Sequence, residues 1–296
     1  MSQAGRFAPS PTGPLHLGNL RTALLAWLFA RSAGASFVVR MEDLDHGRVV
    51  AGSAEQQLEH LRALGLDWDG EVAFQSNRHH AYEAATERLL ADGRLYECFC
   101  TRAEVRAAAS APHGPLPEGA YPGTCLRLST ADRRRKRAGG RPPALRVRAD
   151  GAQIGFTDRL HGEQKGVVDD FVVRRNDGAP AYNLAVVVDD ARQGIGEVVR
   201  GDDLLETTPR QLFLAAALGL QTPAFAHVPL VLGPDGSRLA KRHGAVTLDQ
   251  LDPGAALRWM AATLGMEGAT TVGELRARFE PGTLPRAATR WRGGLT

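Results

Sequence analysis

Apolar positions in the first ninety residues alternate between two spacings. Residues 5–8 form a short stretch that reads as a strand, and from 18 to 33 Leu20, Ala23, Leu24, Trp27 and Leu28 recur at helical spacing until Gly34 closes the run. Residues 36–41 read as a buried strand. Ser53 and Gln56 have the spacing of a capping box for a helix carrying Leu58, Leu61 and Leu64, and Asn77 is placed to cap another through residues 82–90. This β-α-β-α order predicts an α/β fold: a parallel sheet covered by helices, with ligands at the carboxyl ends of its strands.

Beyond Gly93 the rhythm changes. As far as about Gly178, short strands and turns surround a Pro/Gly/Ala-rich stretch at 107–119 that reads as a loop. Strand-like apolar runs return at 181–188 and 197–199, followed by a helix at 206–218 and a strand at 227–232. Pro253 then opens a helix with Leu257, Met260, Ala261 and Leu264. The expected organisation is an α/β domain split into 1–92 and 179–245, an inserted subdomain at 93–178, and a small helical region at 246–296.

A chain of 296 residues with 43% hydrophobic and 23% charged positions is long enough for about two domains with a sizeable core. That composition excludes a disulfide miniprotein and a wholly disordered chain. No apolar run approaches the ~20 residues of a membrane span, and the amino end lacks a basic-then-apolar leader, so a cytoplasmic protein is expected. No heptad repeat or extended apolar stripe calls for a partner subunit, so a monomer is the expected state.

The formal charge of +3 hides an uneven distribution. Residues 101–150 hold eleven basic against four acidic side chains, with a run from Arg133 to Arg137 that suits either a solvated helix face or an RNA backbone. Only three cysteines occur, Cys98, Cys100 and Cys125. Cys-x-Cys with a third cysteine across a loop is a metal-like spacing, and three thiolates lack one ligand of a tetrahedral Zn²⁺ site. His113 would be the ordinary fourth ligand; the alternative to a metal is three free thiols.

Two segments carry phosphate chemistry. Arg6-Phe7-Ala8-Pro9-Ser10-Pro11-Thr12-Gly13-Pro14-Leu15-His16-Leu17-Gly18-Asn19 is a strand, a Pro/Gly loop and a helix start, where unpaired N–H groups and the helix dipole favour an anion. His16 adds a donor, and Gly18 permits close approach of a nucleotide. About 220 residues later, Ser237-Arg238-Leu239-Ala240-Lys241-Arg242-His243-Gly244 crowds cations that repel one another unless a polyanion is bound.

This pairing resembles the two signature motifs of class I aminoacyl-tRNA synthetases. Together with Val39-Arg40-Met41-Glu42-Asp43-Leu44-Asp45, Ala181-Tyr182-Asn183-Leu184-Ala185-Val186-Val187-Val188-Asp189-Asp190 and Val199-Arg200-Gly201-Asp202-Asp203, it is similar to the glutamyl branch over residues 5–250. Within that branch the chain looks like the shortened paralogues that attach glutamate to queuosine, at the wobble position of tRNA(Asp). About fifty residues follow the Lys loop where a full glutamyl-tRNA synthetase carries an anticodon-binding domain.

The resemblance implies a Rossmann-like class I core with a zinc-containing insert. It also implies activation of L-glutamate by ATP with Mg²⁺, without tRNA, and then transfer to tRNA(Asp) bearing queuosine. It places glutamate against Arg6, Ala8, Ser10, Glu42, Tyr182 and Arg200, and ATP against His16, Gly18, Asn19 and Lys241. His16 and Lys241 take the catalytic roles, and Tyr121 joins Cys98, Cys100 and Cys125 as the fourth zinc ligand. Arg238 and Ala240 stand where the family often has Lys and Ser, and Asn19 where the motif ends in His. A shortened enzyme charging the tRNA 3′ end, a non-catalytic RNA- or amino-acid-binding paralogue, and a nucleotidyltransferase are the other classes the sequence allows.

Overall fold

A computed structural model of the chain describes residues 3–101, 103–105, 120–244 and 246–294. The first half runs β1 (Ala4–Phe7), α1 (Leu17–Ser32), β2 (Phe37–Met41), α2 (Ser53–Ala63), β3 (Ala73–Phe74) and α3 (His79–Ala91). The middle contributes β4 (Leu95–Cys98), α4 (Thr130–Ala138), β5 (Ala144–Val147), β6 (Gln153–Asp158), β7 (Gly162–Val167) and β8 (Val172–Arg174). The second half is α5 (Tyr182–Arg192), β9 (Ile195–Gly201), α6 (Thr208–Leu218), β10 (Ala224–Val228) and β11 (Val231–Leu232). After it come α7 (Pro253–Thr263), α8 (Val272–Arg278) and β12 (Thr289–Arg290).

Seven strands form the main sheet in the order β3-β2-β1-β9-β10-β6-β7, parallel except for the β6–β7 hairpin. The α/β class read from the sequence is therefore found. Strands from the two halves of the chain meet at β1 and β9, so the loops leaving their carboxyl ends share one crevice, the place where such sheets bind ligands. Gly5 is required there by packing: a Cβ would lie 2.7 Å from the Ala30 Cβ of α1.

α1 buries eleven of its sixteen residues because the sheet covers one side and the carboxyl-terminal helices the other. Phe29 meets Phe279 edge-on at 5.2 Å, and Leu257, Met260 and Leu264 of α7 enter the same core. Full burial of such side chains contributes roughly 1.5–3 kcal/mol each. Asp252 starts α7 by accepting the Ala255 N–H at 2.8 Å. Among the described residues no helix is long and apolar enough to cross a membrane.

Several local expectations are corrected. The apolar run at 181–188 is not a strand but the first part of α5, in which every residue from Leu184 to Asp190 is buried. A helix enclosed on all sides has no polar face, so its period is invisible and valine-rich sequence mimics a strand. Ser53 does not cap α2; Gly52, at φ +74°, is the cap, and Ser53 lies inside the first turn. The second capping candidate, Asn77, sits in a 3₁₀ turn, and Arg78 precedes α3. Pro229 divides the strand expected at 227–232 into β10 and β11, and β11 pairs with β12 instead.

In the middle segment β4, β5 and β8 form a separate antiparallel sheet, whereas β6 pairs with β10 of the main sheet. The basic run lies on α4, which buries no residue; Ser129 and Asp132 cap it reciprocally. The loop expected at 107–119, with His113, lies outside the described residues.

Candidate active site

The loop after β1 is fastened to its neighbours by backbone groups. The Gly13 N–H donates to Ser53 Oγ at 2.7 Å, and Gln57 Nε2 donates to the carbonyls of Gly13 and Ser10 at 2.7 and 3.0 Å. The Pro9 carbonyl accepts the Glu42 N–H at 2.9 Å, tying the loop to the end of β2. Gly13 has φ +124°, a conformation that glycine alone adopts without strain.

His16 caps α1. Its Nδ1 accepts the Asn19 N–H at 3.2 Å, and Asn19 Oδ1 accepts the His16 N–H at 3.4 Å. Burial, and then the positive charges of Arg238 and Lys241, lower the His16 pKa to about 4. The ring is neutral near pH 7. Because Nδ1 accepts, its proton sits on Nε2, which remains a donor. Gly18 keeps the ring in place, since a Cβ there would approach His16 Cε1 to 3.0 Å.

The downstream cationic loop closes over the same place. Leu239 N–H bonds the Val231 carbonyl at 2.9 Å, anchoring the loop to β11. Arg238 is paired with Asp203, and Arg242 lies 4.0 Å from Asp235. Lys241 has no carboxylate at ion-pair distance among the described residues; its Nζ lies against Gly13, where any Cβ would collide with it. The two motifs, far apart in sequence, thus face each other across one opening.

That opening is a cleft of about 940 Å³. His16, Gly18, Asn19 and Lys241 line one part; Arg6, Ala8, Ser10, Glu42, Tyr182 and Arg200 line another. All ten residues expected from the sequence to meet glutamate or ATP are therefore brought together. Asn19 is engaged in the helix cap. Tyr182, at the start of α5, stays 41% exposed.

Beneath the second group lies an ionic network that the sequence reading missed. Asp190 accepts from Arg6 Nε at 3.3 Å and Arg40 Nη1 at 2.8 Å, and Arg40 also meets Glu42 at 3.3 Å. Burial lowers the Arg40 pKa, but Asp190, Glu42 and Asp189 more than offset it, leaving the value raised. Burial raises the Glu42 pKa, with Arg40 and Arg6 opposing. The Asp189-Asp190 pair at the end of an apolar run was the available signal, since two buried acids demand cationic partners.

Cys98, Cys100 and Cys125 converge with all three Sγ atoms within 4.8 Å of one another. The Tyr121 hydroxyl lies 3.6 Å from the Sγ atoms of both Cys98 and Cys100, and Cys100 and Cys125 are 3.4 Å apart. Ligands about 2.3 Å from a tetrahedral Zn²⁺ would be roughly 3.8 Å apart, so the three thiols have a spacing that could hold such an ion, with the Tyr121 hydroxyl beside two of them. The Arg146 guanidinium lies 3.7 Å over the Tyr121 ring. A hydrogen bond from Cys125, and then the charge of Arg146, bring the Cys98 pKa down to about 4, although burial opposes them.

Residues 4–271 match the family described as tRNA synthetases class I (E and Q), catalytic domain, and the chain belongs to this family of ligases. Within it, the chain groups with proteins named glutamyl-Q tRNA(Asp) synthetase. The one from Nocardia farcinica is 60% identical over 288 residues, covering 96% of this chain and 91% of its own length. The one from Geobacter sulfurreducens is 46% identical over 302 residues, covering 96% and 94%. A glutamate tRNA ligase from Elizabethkingia meningosepticum, solved in complex with its amino acid, superposes with a TM-score of 0.83 at 27% identity, over 99% of this chain and 67% of that one.

Proposed function

We propose that the cleft activates L-glutamate with ATP in the absence of tRNA and then passes the glutamyl group to queuosine in tRNA(Asp). The observation carrying this proposal is the cleft in which a neutral histidine at a helix N-terminus and Lys241, without a carboxylate partner among the described residues, stand beside two arginines and the partly buried Glu42. Arg6 and Arg200 meet the carboxylates of the substrate, Glu42 its ammonium, and the Ala8 backbone and Ser10 hydroxyl its remaining polar atoms. Tyr182 forms the exposed wall. An ammonium beside Glu42 would offset the burial that disfavours its charged form.

ATP lies over the loop ending at His16, with Mg²⁺ entering on its phosphates. The glutamate α-carboxylate attacks the α-phosphorus, a P–O bond to pyrophosphate breaks, and glutamyl-adenylate remains. No protein nucleophile is needed. His16 Nε2–H, the Gly18 N–H at the start of α1 and the Asn19 side-chain NH₂ hold phosphate oxygens, while Lys241 meets the charge building on the leaving pyrophosphate. A hydroxyl of the queuosine cyclopentenediol then attacks the acyl carbon, AMP departs, and the hydroxyl proton passes to solvent. The transfer step draws its support from the names of the relatives.

Segments 1–92 and 179–245 act as the catalytic halves, joined by the β6–β7 hairpin on the same sheet, and the rest of 93–178 acts as the insert that approaches tRNA, with the basic face of α4 suited to its phosphates. Cys98, Cys100, Tyr121 and Cys125 hold a structural Zn²⁺, which when bound cross-links the end of β4 to the loop before α4. Glutamate-dependent ATP–pyrophosphate exchange without tRNA tests the activation step. Exchange stimulated by glutamate alone among the amino acids supports it, and its absence from folded protein refutes it.

A further inference from the structure

Arg200 is held differently from the other cations of the cleft. Arg6 and Arg40 share the Asp190 carboxylate, whereas Arg200 has no carboxylate at ion-pair distance among the described residues. Its Nε donates to His227 Nε2 at 3.0 Å, its Nη1 to Gln211 Oε1 at 2.8 Å, and its Nη2 to Thr208 Oγ1 at 2.8 Å. Each of these acceptors is uncharged.

The neutrality of His227 follows from the geometry. Nε2 accepts from Arg200, so the ring proton lies on Nδ1, 2.6 Å from Asp158 Oδ2. Asp158 also accepts the backbone N–H groups of Leu160, His161 and His227 at 2.9, 3.0 and 3.1 Å, so its charge is spread over four donors. Burial lowers the His227 pKa and Arg200 pushes the same way, against Asp158. The side chains of His227 and Asp158 are wholly inaccessible to solvent.

Strand register builds this chain of contacts. Arg200 on β9 lies opposite His227 on β10, and Asp158 at the end of β6 lies opposite Phe225 two residues earlier. The Phe225 ring stacks against His227 at 6.0 Å and underlies the Arg200 guanidinium at 5.4 Å.

We infer that His227 and Asp158 are positioning residues that hold Arg200 with neutral acceptors, reserving its positive charge for the side-chain carboxylate of the substrate amino acid over the corresponding amide. The inference rests on the proposed activation of glutamate. A buried cation without an anion gains a charge-assisted, forked hydrogen bond from a carboxylate. Glutamine would leave the charge unbalanced and turn an N–H₂ group toward a guanidinium that only donates. A carboxylate at position 227 would cancel the charge and remove that preference.

Pyrophosphate exchange with glutamate and with glutamine, in wild type, His227→Leu and His227→Gln, tests this. The leucine variant is expected to raise the KM for glutamate about tenfold or more and to reduce the glutamate/glutamine ratio of kcat/KM by a similar factor, with kcat changed less. The glutamine variant, which keeps an acceptor, is expected to remain within about threefold of wild type in both quantities. A purely structural role would lower the active fraction, and so kcat, while leaving KM and the ratio intact. That result, or equal impairment of both variants, overturns the inference. Should the leucine variant not fold, Gln211→Leu removes another neutral acceptor and is judged by the same ratio. Wild-type protein without glutamate-dependent exchange would refute the proposed function itself, and this inference with it.

Discussion

Replacing Lys241 by alanine removes the one cation of the downstream loop that no carboxylate holds among the described residues. Arg238 and Arg242 are directed at Asp203 and Asp235, while Lys241 Nζ rests against Gly13 at the mouth of the cleft. Opposite unit charges about 4 Å apart interact by about 4 kcal/mol at an effective dielectric constant near 20. Each 1.36 kcal/mol is about tenfold in rate, which sets an upper bound of about a thousandfold. Part of that attraction already exists when ATP binds; only the increase as charge moves onto pyrophosphate accelerates the reaction. The expected loss in kcat for glutamate-dependent exchange is therefore about 10²–10³-fold, with a smaller rise in the KM for ATP. Lys241 is exposed, so stability should change by no more than about 0.5 kcal/mol, which a thermal melt checks. A folded Lys241→Ala protein exchanging within about threefold of wild type would refute the role given to this side chain.

Two further predictions concern His16 and the thiolate cluster. With its folded-state pKa near 4 against an ordinary 6.5, His16 binds fewer protons when folded, so stability falls as pH drops through that window and has no such slope above it. His16→Asn keeps a capping side chain without the titration; urea denaturation should show wild type losing roughly 1.5 kcal/mol more than the variant between pH 6.5 and 5, and parallel curves would contradict this. Protein purified without chelator should carry one zinc per chain; Cys125→Ser should lose it, and Tyr121→Phe should weaken its retention about tenfold or more. Unchanged zinc retention in Tyr121→Phe would exclude the tyrosine as a ligand.

β1, β2 and α1 are buried on more than one side, yet they were legible: β2 is a short apolar run, and α1 has enough turns before Gly34 for its apolar spacing to show. The cleft residues announce themselves as unusual polar types at loop and helix starts. α5 was unreadable because its apolar residues, Leu184 to Val188, form one continuous run within eleven residues, so no helical spacing shows. Ser53 looked like a cap by spacing, yet its hydroxyl serves the loop at Gly13, a contact forty residues away that no local pattern encodes. The same holds for His227 and Asp158, which support a cleft arginine across strands, so their importance depends on register. The cysteine cluster was legible because its chemistry needs only three thiolates close together, whereas the approach of Tyr121 to two of them depends on how the chain folds over them.

The central claim is that one cleft activates glutamate for delivery to a modified anticodon base. Incubating the protein with ATP, radiolabelled glutamate and tRNA(Asp), prepared with and without queuosine, tests it most directly. Label should appear only on the queuosine-containing tRNA and should persist after the 3′-terminal adenosine is removed. Label on unmodified tRNA, or label lost with that adenosine, would contradict the account.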